Sequence, residues 1–179
     1  MFLFVAAIAL VSTSADNSSQ SADLFRYLVG TWRVVSVDPS GGEDLHVCYS
    51  IQPFVGSKWI SGEATSVTAG FGSKDIWGID EASGELFRTI FDASGTYAVV
   101  RSAAWKGDTM VLVGDARSAG GPMRVRETIR RLSKNEFKAT WEALRDGQWG
   151  VYAIETATRA GHEKCSHSIA ATEASGDLR

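Results

Sequence analysis

Apolar and polar side chains alternate with a period close to two through most of this chain, and Gly, Asp, Asn and Ser break the pattern at short intervals. That period belongs to strands. It predicts them near Trp32–Val37, Leu45–Gln52, Lys58–Thr68, Lys74–Ile79, Glu85–Phe91, Tyr97–Trp105, Thr109–Asp115, Met123–Leu132, Glu136–Leu144 and Trp149–Thr158, about ten in all, after a helical turn at Asp23–Leu28. The connections DEASGE (80–85), DASGT (92–96), KGD (106–108), SKN (133–135) and RDGQ (145–148) are hairpin-sized and rich in turn formers. No connection is long enough for a crossover helix, which excludes a parallel α/β sheet. Ten hairpin-linked strands must split into two sheets or close on themselves, and closure removes the exposed edges. The expected fold class is therefore all-β, an up-and-down antiparallel β-barrel with a short N-terminal helix capping one end; a sandwich is the alternative.

The junction LFRYLVGTWRVVSVD (24–38) fits a capped barrel. Gly30 suits the left-handed position after a helix, and Trp32 at the start of the first strand can turn inward and seal that end. A chain of 179 residues is of single-domain length. Its first fifteen residues, MFLFVAAIALVSTSA, read as a signal peptide: an apolar run, then small residues with Thr13 and Ala15 where a signal peptidase cuts. The expected organisation is a signal peptide at 1–15, a flexible N-terminus at 16–22, the barrel at 23–160 and a C-terminal tail at 161–179. The location is periplasmic or secreted. The apolar run falls well short of the ~20 residues of a span, so no stable membrane insertion is expected after cleavage.

Two cysteines, Cys48 and Cys165, lie too far apart in sequence for a CxxC or zinc-type cluster. In an oxidising compartment they would form a disulfide tying the tail to an early strand, the alternative being two unrelated buried thiols. The formal net charge of −3, with acids and bases interspersed, gives no nucleic-acid footprint. The histidines, His46, His162 and His167, do not cluster, and no metal or other cofactor is expected. There is no GxSxG and no phosphate-cradling loop.

The segment LVGTW (28–32) resembles the Gly-x-Trp signature that opens lipocalins and their calycin relatives. The segment DIWGIDEASGELFRTIFDASGTY (75–97) resembles the middle of lipocalin-like domains of unknown function from exported bacterial proteins. The resemblance covers most of 24–159. It implies a calycin-type barrel that binds a small apolar or amphipathic molecule, with Trp32 packed under a basic residue of the last strand, here Arg159.

Alternation sorts side chains by face. If the aromatic-rich faces point inward, Tyr97, Val99 and Arg101 share the interior with Trp59, Ser61 and Glu63, and with Met123, Val125, Glu127 and Ile129. Arg101 and a carboxylate, Glu63 or Glu127, would then orient the polar head of a ligand whose body lies among Trp59, Trp77, Phe87, Tyr97 and Trp141. A satisfied Arg–Glu pair, or a face assignment slipped by one residue, is the competing reading. The opposite stripe, Arg124, Arg126 and Arg130, reads as a solvated outer face. The alternative function is a calycin-type isomerase or lyase that uses an internal carboxylate for proton transfer; no catalytic residue is singled out.

Overall fold

A computed structural model of the chain describes residues 23, 25–56, 58–66, 71–102, 105–161 and 165. The expected signal peptide, the 16–22 segment and nearly all of the C-terminal tail lie outside these residues. Eleven strands run through the described residues: β1 Gly30–Val37, β2 Leu45–Pro53, β3 Trp59–Ser66, β4 Gly72–Ile79, β5 Leu86–Asp92, β6 Tyr97–Ser102, β7 Trp105–Lys106, β8 Thr109–Ser118, β9 Gly121–Ser133, β10 Glu136–Arg145 and β11 Gln148–Ala160. Neighbours in sequence pair antiparallel, with β6 and the two-residue β7 both pairing with β8, so together they fill one position in the wall. The first strand pairs with the last, from Thr31 opposite Ala160 to Val37 opposite Ile154. The result is a closed, ten-stranded, up-and-down barrel.

One end is plugged. Residues 23 and 25–28 are helical, and they set Phe25 and Leu28 into the core beside Trp32, which has no exposed surface. The Trp32 indole donates a hydrogen bond to the Leu28 carbonyl at 2.7 Å and meets the Phe137 ring edge-on at 4.8 Å. The Arg159 guanidinium lies 4.2 Å from the indole and donates to the carbonyls of Val29 and Tyr27, satisfying groups a helix end leaves free. Gly30, at φ 135°, makes this approach possible, because a side chain there would run into the Arg159 guanidinium. A disulfide joins Cys48 on β2 to Cys165, with the Cα atoms 5.6 Å apart.

The interior face is set by small residues as much as by large ones. Gly62 and Ala64 on β3, Ala98 on β6, Gly114 and Ala116 on β8, Ala139 and Ala143 on β10 and Ala157 on β11 all point inward, interleaved with Ile60, Val100, Leu112, Val125 and Ile129. The small residues leave the space that the large interior side chains Tyr49, Trp77, Arg88 and Trp141 take up. This reverses the expected faces of β3 and β6. Ile60, Gly62, Ala64 and Ser66 are buried while Glu63 is exposed, and Ala98, Val100 and Ser102 are buried while Tyr97, Val99 and Arg101 are exposed. Trp59 and Phe87 also lie on the outer face, cross-strand neighbours of Gly78, which the Trp59 ring covers from outside. The interior placement of Trp59, Glu63, Phe87, Tyr97 and Arg101 is thus corrected: aromatic side chains on these strands cover the wall from outside, where there is space. On β9 the expected phase holds, with Val125, Glu127 and Ile129 buried.

Candidate functional site

On β5 the alternation Leu86, Arg88, Ile90 is the inward one, and it carries a guanidinium into the lumen with only 11% of its side chain exposed. Its environment comes from β4 beside it and from β2, β9 and β10 across the lumen. Arg88 Nε and Nη2 donate to Asp75 Oδ2 on β4 at 2.7 and 2.5 Å, and Nη1 donates to Glu127 Oε1 on β9 at 2.5 Å. The Tyr49 hydroxyl on β2 donates to the same Asp75 oxygen at 2.5 Å, and the Trp77 indole N–H lies 3.4 Å from the Tyr49 oxygen. The guanidinium carbon sits 4.5 Å from the Trp77 ring and 5.7 Å from that of Trp141. These indoles, expected to cradle a ligand, here flank Arg88. Gly62 leaves room for the group, since a Cβ there would collide with Asp75 Oδ1 and the Tyr49 ring.

A third carboxylate, Glu155 on β11, is half-buried and accepts a hydrogen bond from the Trp141 side chain. Burial, reinforced by the charge of Glu127, pushes Glu155 up to about 7. Burial also raises Glu127, although Arg88 opposes the rise. Burial works against the charge on Arg88, but Glu127 and Asp75 outweigh it and hold the guanidinium protonated well above its ordinary value. Burial and the neighbouring Asp75 push the Tyr49 phenol far up; burial, then Glu127, does the same for Tyr152 near the mouth. Both phenols stay neutral. Asp75 Oδ1 and Glu127 Oε2 have no hydrogen-bond partner among the described residues.

A cavity of about 70 Å³ opens at the end of the barrel opposite the helix. Its walls are Val34, Leu45, Val47, Ala64 and Phe71, with Ser36 and Ser73 near the rim and Tyr49, Arg88 and Glu155 as the polar part. A larger concavity, about 400 Å³, lies on the outside of β2–β4 between Gln52, Phe54, Lys74 and Phe91. It is a dip in the wall, floored by side chains that already pair with one another, such as Lys74 with Glu63 at 3.6 Å.

Of the eight residues expected to meet a ligand, the structure brings Trp77, Glu127 and Trp141 together around Arg88. The other five are dispersed over the outer wall: Arg101 pairs with Asp80 at 3.2 Å and lies 5.6 Å from the Phe87 ring, which in turn meets Trp59 edge-on at 5.3 Å. Sequence reasoning missed Arg88, Asp75, Tyr49 and Glu155. The signal for Arg88 was present in the Leu86, Arg88, Ile90 phase of β5; Glu155 shares its phase with Ala157 and Arg159, two positions that point inward. The described residues hold no group of three or more His, Cys, Asp or Glu side chains suited to a metal ion. His162 and His167 lie outside them.

No protein-family model matches the chain, and no curated protein matches it. Among solved structures it is similar to a redesigned β-barrel, b11L5F_LGL, at 18% identity over 79% of this chain and 96% of that one, with a TM-score of 0.39. It is also similar to mFAP1, a redesigned β-barrel bound to DFHBI, at 16% identity over 78% of this chain and 99% of that one, TM-score 0.40. The S-type phycobiliprotein lyase CPES of Guillardia theta overlaps at 13% identity over 84% of this chain and 98% of that one, TM-score 0.41. Overlaps of this size carry no argument about family or activity. The barrel rests on its own strand pairing, and the site on its own geometry.

Proposed function

We propose that the protein binds a small amphipathic molecule at the open end of its barrel, the polar group toward Tyr49, Arg88 and Glu155 and the apolar part against Val34, Leu45, Val47 and Phe71. One observation carries this reading: Trp32 and the helix seal one end, while the other keeps a cavity with apolar walls and a charged floor. Its size bounds the ligand. About 70 Å³ is well below the ~300–1,000 Å³ of pockets for drug-sized molecules, so only a small molecule, or the head of a longer one, fits inside. The test is mass spectrometry of small molecules that co-purify with the protein from its native host, beside an Ala64→Leu variant that fills the cavity. A stoichiometric molecule lost in the variant is the expected result; an equal amount on both proteins contradicts the reading.

A second reading, proton-transfer catalysis by an isomerase or lyase, is favoured by the placement of Glu155 on the cavity with its carboxyl pushed up to about 7, a useful value for a general base near neutrality. Conversion of the co-purified molecule on incubation, abolished by Glu155→Gln, would establish it. Recovery of the molecule unchanged leaves binding as the function.

Export to the periplasm or medium is part of the proposal, and the Cys48–Cys165 bridge supports it, since such bonds persist in oxidising compartments. A mature N-terminus at Asp16 in the exported fraction is expected. A full-length chain confined to the cytosol contradicts it.

A further inference from the structure

We propose that the mouth of the barrel selects a molecule whose polar group is a protonated amine of the alkylammonium class, in preference to a carboxylate or an alcohol. This rests on the binding reading above and sharpens it. In the open half of the barrel Arg88 faces three carboxylates, Asp75, Glu127 and Glu155. Its N–H groups are already directed at Asp75, Glu127 and the Tyr49 hydroxyl. What is left over is acceptors: Asp75 Oδ1 and Glu127 Oε2, on side chains 3% and 2% exposed, have no partner among the described residues. Buried acceptors without donors, and buried negative charge without a counter-charge, are both costly. Of the three carboxylates it is Glu155 that lines the cavity, and an ammonium seated beside it offsets the surplus of the whole group with one positive charge on a compact head and three donors of its own. A carboxylate would bring a fourth anion to a guanidinium that already directs four of its five N–H donors at Asp75, Glu127 and Tyr49. Beyond Glu155 the wall turns apolar at Val34, Leu45 and Val47, which suits a short alkyl chain.

Protonation follows from the same arrangement. Glu155 faces Glu127 from β9, Arg88 from β5, Asp75 from β4 and Tyr49 from β2, with Tyr152 on its own strand and only Trp141 and Ser36 from the strands on either side. Without a bound cation the surplus charge is relieved by a proton on Glu155. An amine must displace that proton, so its binding strengthens as pH rises through neutrality and releases a proton.

Isothermal titration of the purified full chain with hexylamine, hexanol and hexanoate tests this, since the three probes share a chain and differ in the head. Hexylamine is expected to bind at least ~10-fold more tightly than hexanol, and hexanoate to give no binding, at about pH 8. Affinity for hexylamine is expected to fall about 30-fold by about pH 5.5, with a buffer-dependent heat that reports the released proton. Glu155→Gln should remove both the preference over hexanol and the pH dependence; Glu127→Gln serves if the first variant does not fold. If hexanol or hexanoate binds as well as hexylamine, at a site lost in Ala64→Leu, amine selection is overturned while the binding site stands. If none of the three binds, both fall. Hexylamine binding unchanged in Ala64→Leu, Glu155→Gln and Glu127→Gln would place any amine site elsewhere and overturn the assignment.

Discussion

Arg88 enters the core with the Trp77 ring against its guanidinium and two buried carboxylates bonded to it. Removing one member of such a group costs more than removing all of it, because the partners left behind are bare charges in a dry interior. Arg88→Met is expected to lower unfolding free energy by about 3–5 kcal/mol in urea denaturation. Adding Asp75→Asn and Glu127→Gln to it should recover most of that loss. A single Arg88→Met variant as stable as the parent would show that the cluster is solvated. At this scale the sequence was half legible. Trp32 could be matched to Arg159 from a short motif, and Glu127 could be placed inward because its strand mates Val125 and Ile129 are both large and apolar. Arg88 was not found, because its neighbour Phe87 drew the inward assignment to the wrong phase of β5.

At the level of the strands, the bounds and hairpins were readable, since turn residues mark them directly: Gly84, Gly95, Gly107 and Gly147 all adopt the positive φ that such turns require. Which face points inward was not. In this barrel the small residues are informative, and Gly62 with Ala64, or Gly114 with Ala116, mark the lumen on strands where Trp59 and Tyr97 lie outside. Gly114 tests this. A Cβ there would strike the Val99 carbonyl and Val100 Cα of β6, so Gly114→Ala must push β6 and β8 apart. A loss of about 1–3 kcal/mol is expected by urea denaturation, whereas Gly150→Ala on β11, where nothing lies within 4 Å, should change stability by less than ~0.5 kcal/mol. Equal effects at the two positions would contradict the close β6–β8 approach.

For the molecule as a whole, the run of hairpins favoured closure over a sandwich, because an open ten-stranded sheet would leave two unpaired edges, and the pairing of β1 with β11 decides between them. The content of the barrel was not, since the residual volume depends on how Arg88, Tyr49, Trp77 and Trp141 pack together, and alternation does not encode that. The disulfide adds a long-range tie to an already closed wall, joining positions 117 residues apart. Thiol labelling of the denatured, unreduced chain should therefore find no free cysteine. Reduction is expected to cost about 2–4 kcal/mol while leaving the far-ultraviolet signature of the barrel intact at 25 °C. Two labelled thiols before reduction, or loss of the β-signature after it, would contradict this arrangement.

Carbon-13 NMR of the glutamate carboxyl groups, followed from about pH 4 to pH 9, reports directly on the charged interior. The resonance assigned to Glu155, identified by its loss in Glu155→Gln, is expected to titrate with a midpoint at about 7. A midpoint near the ordinary ~4.3 would mean that Glu155 faces bulk water without the influence of Glu127, and would contradict an acidic, water-poor mouth built around Arg88.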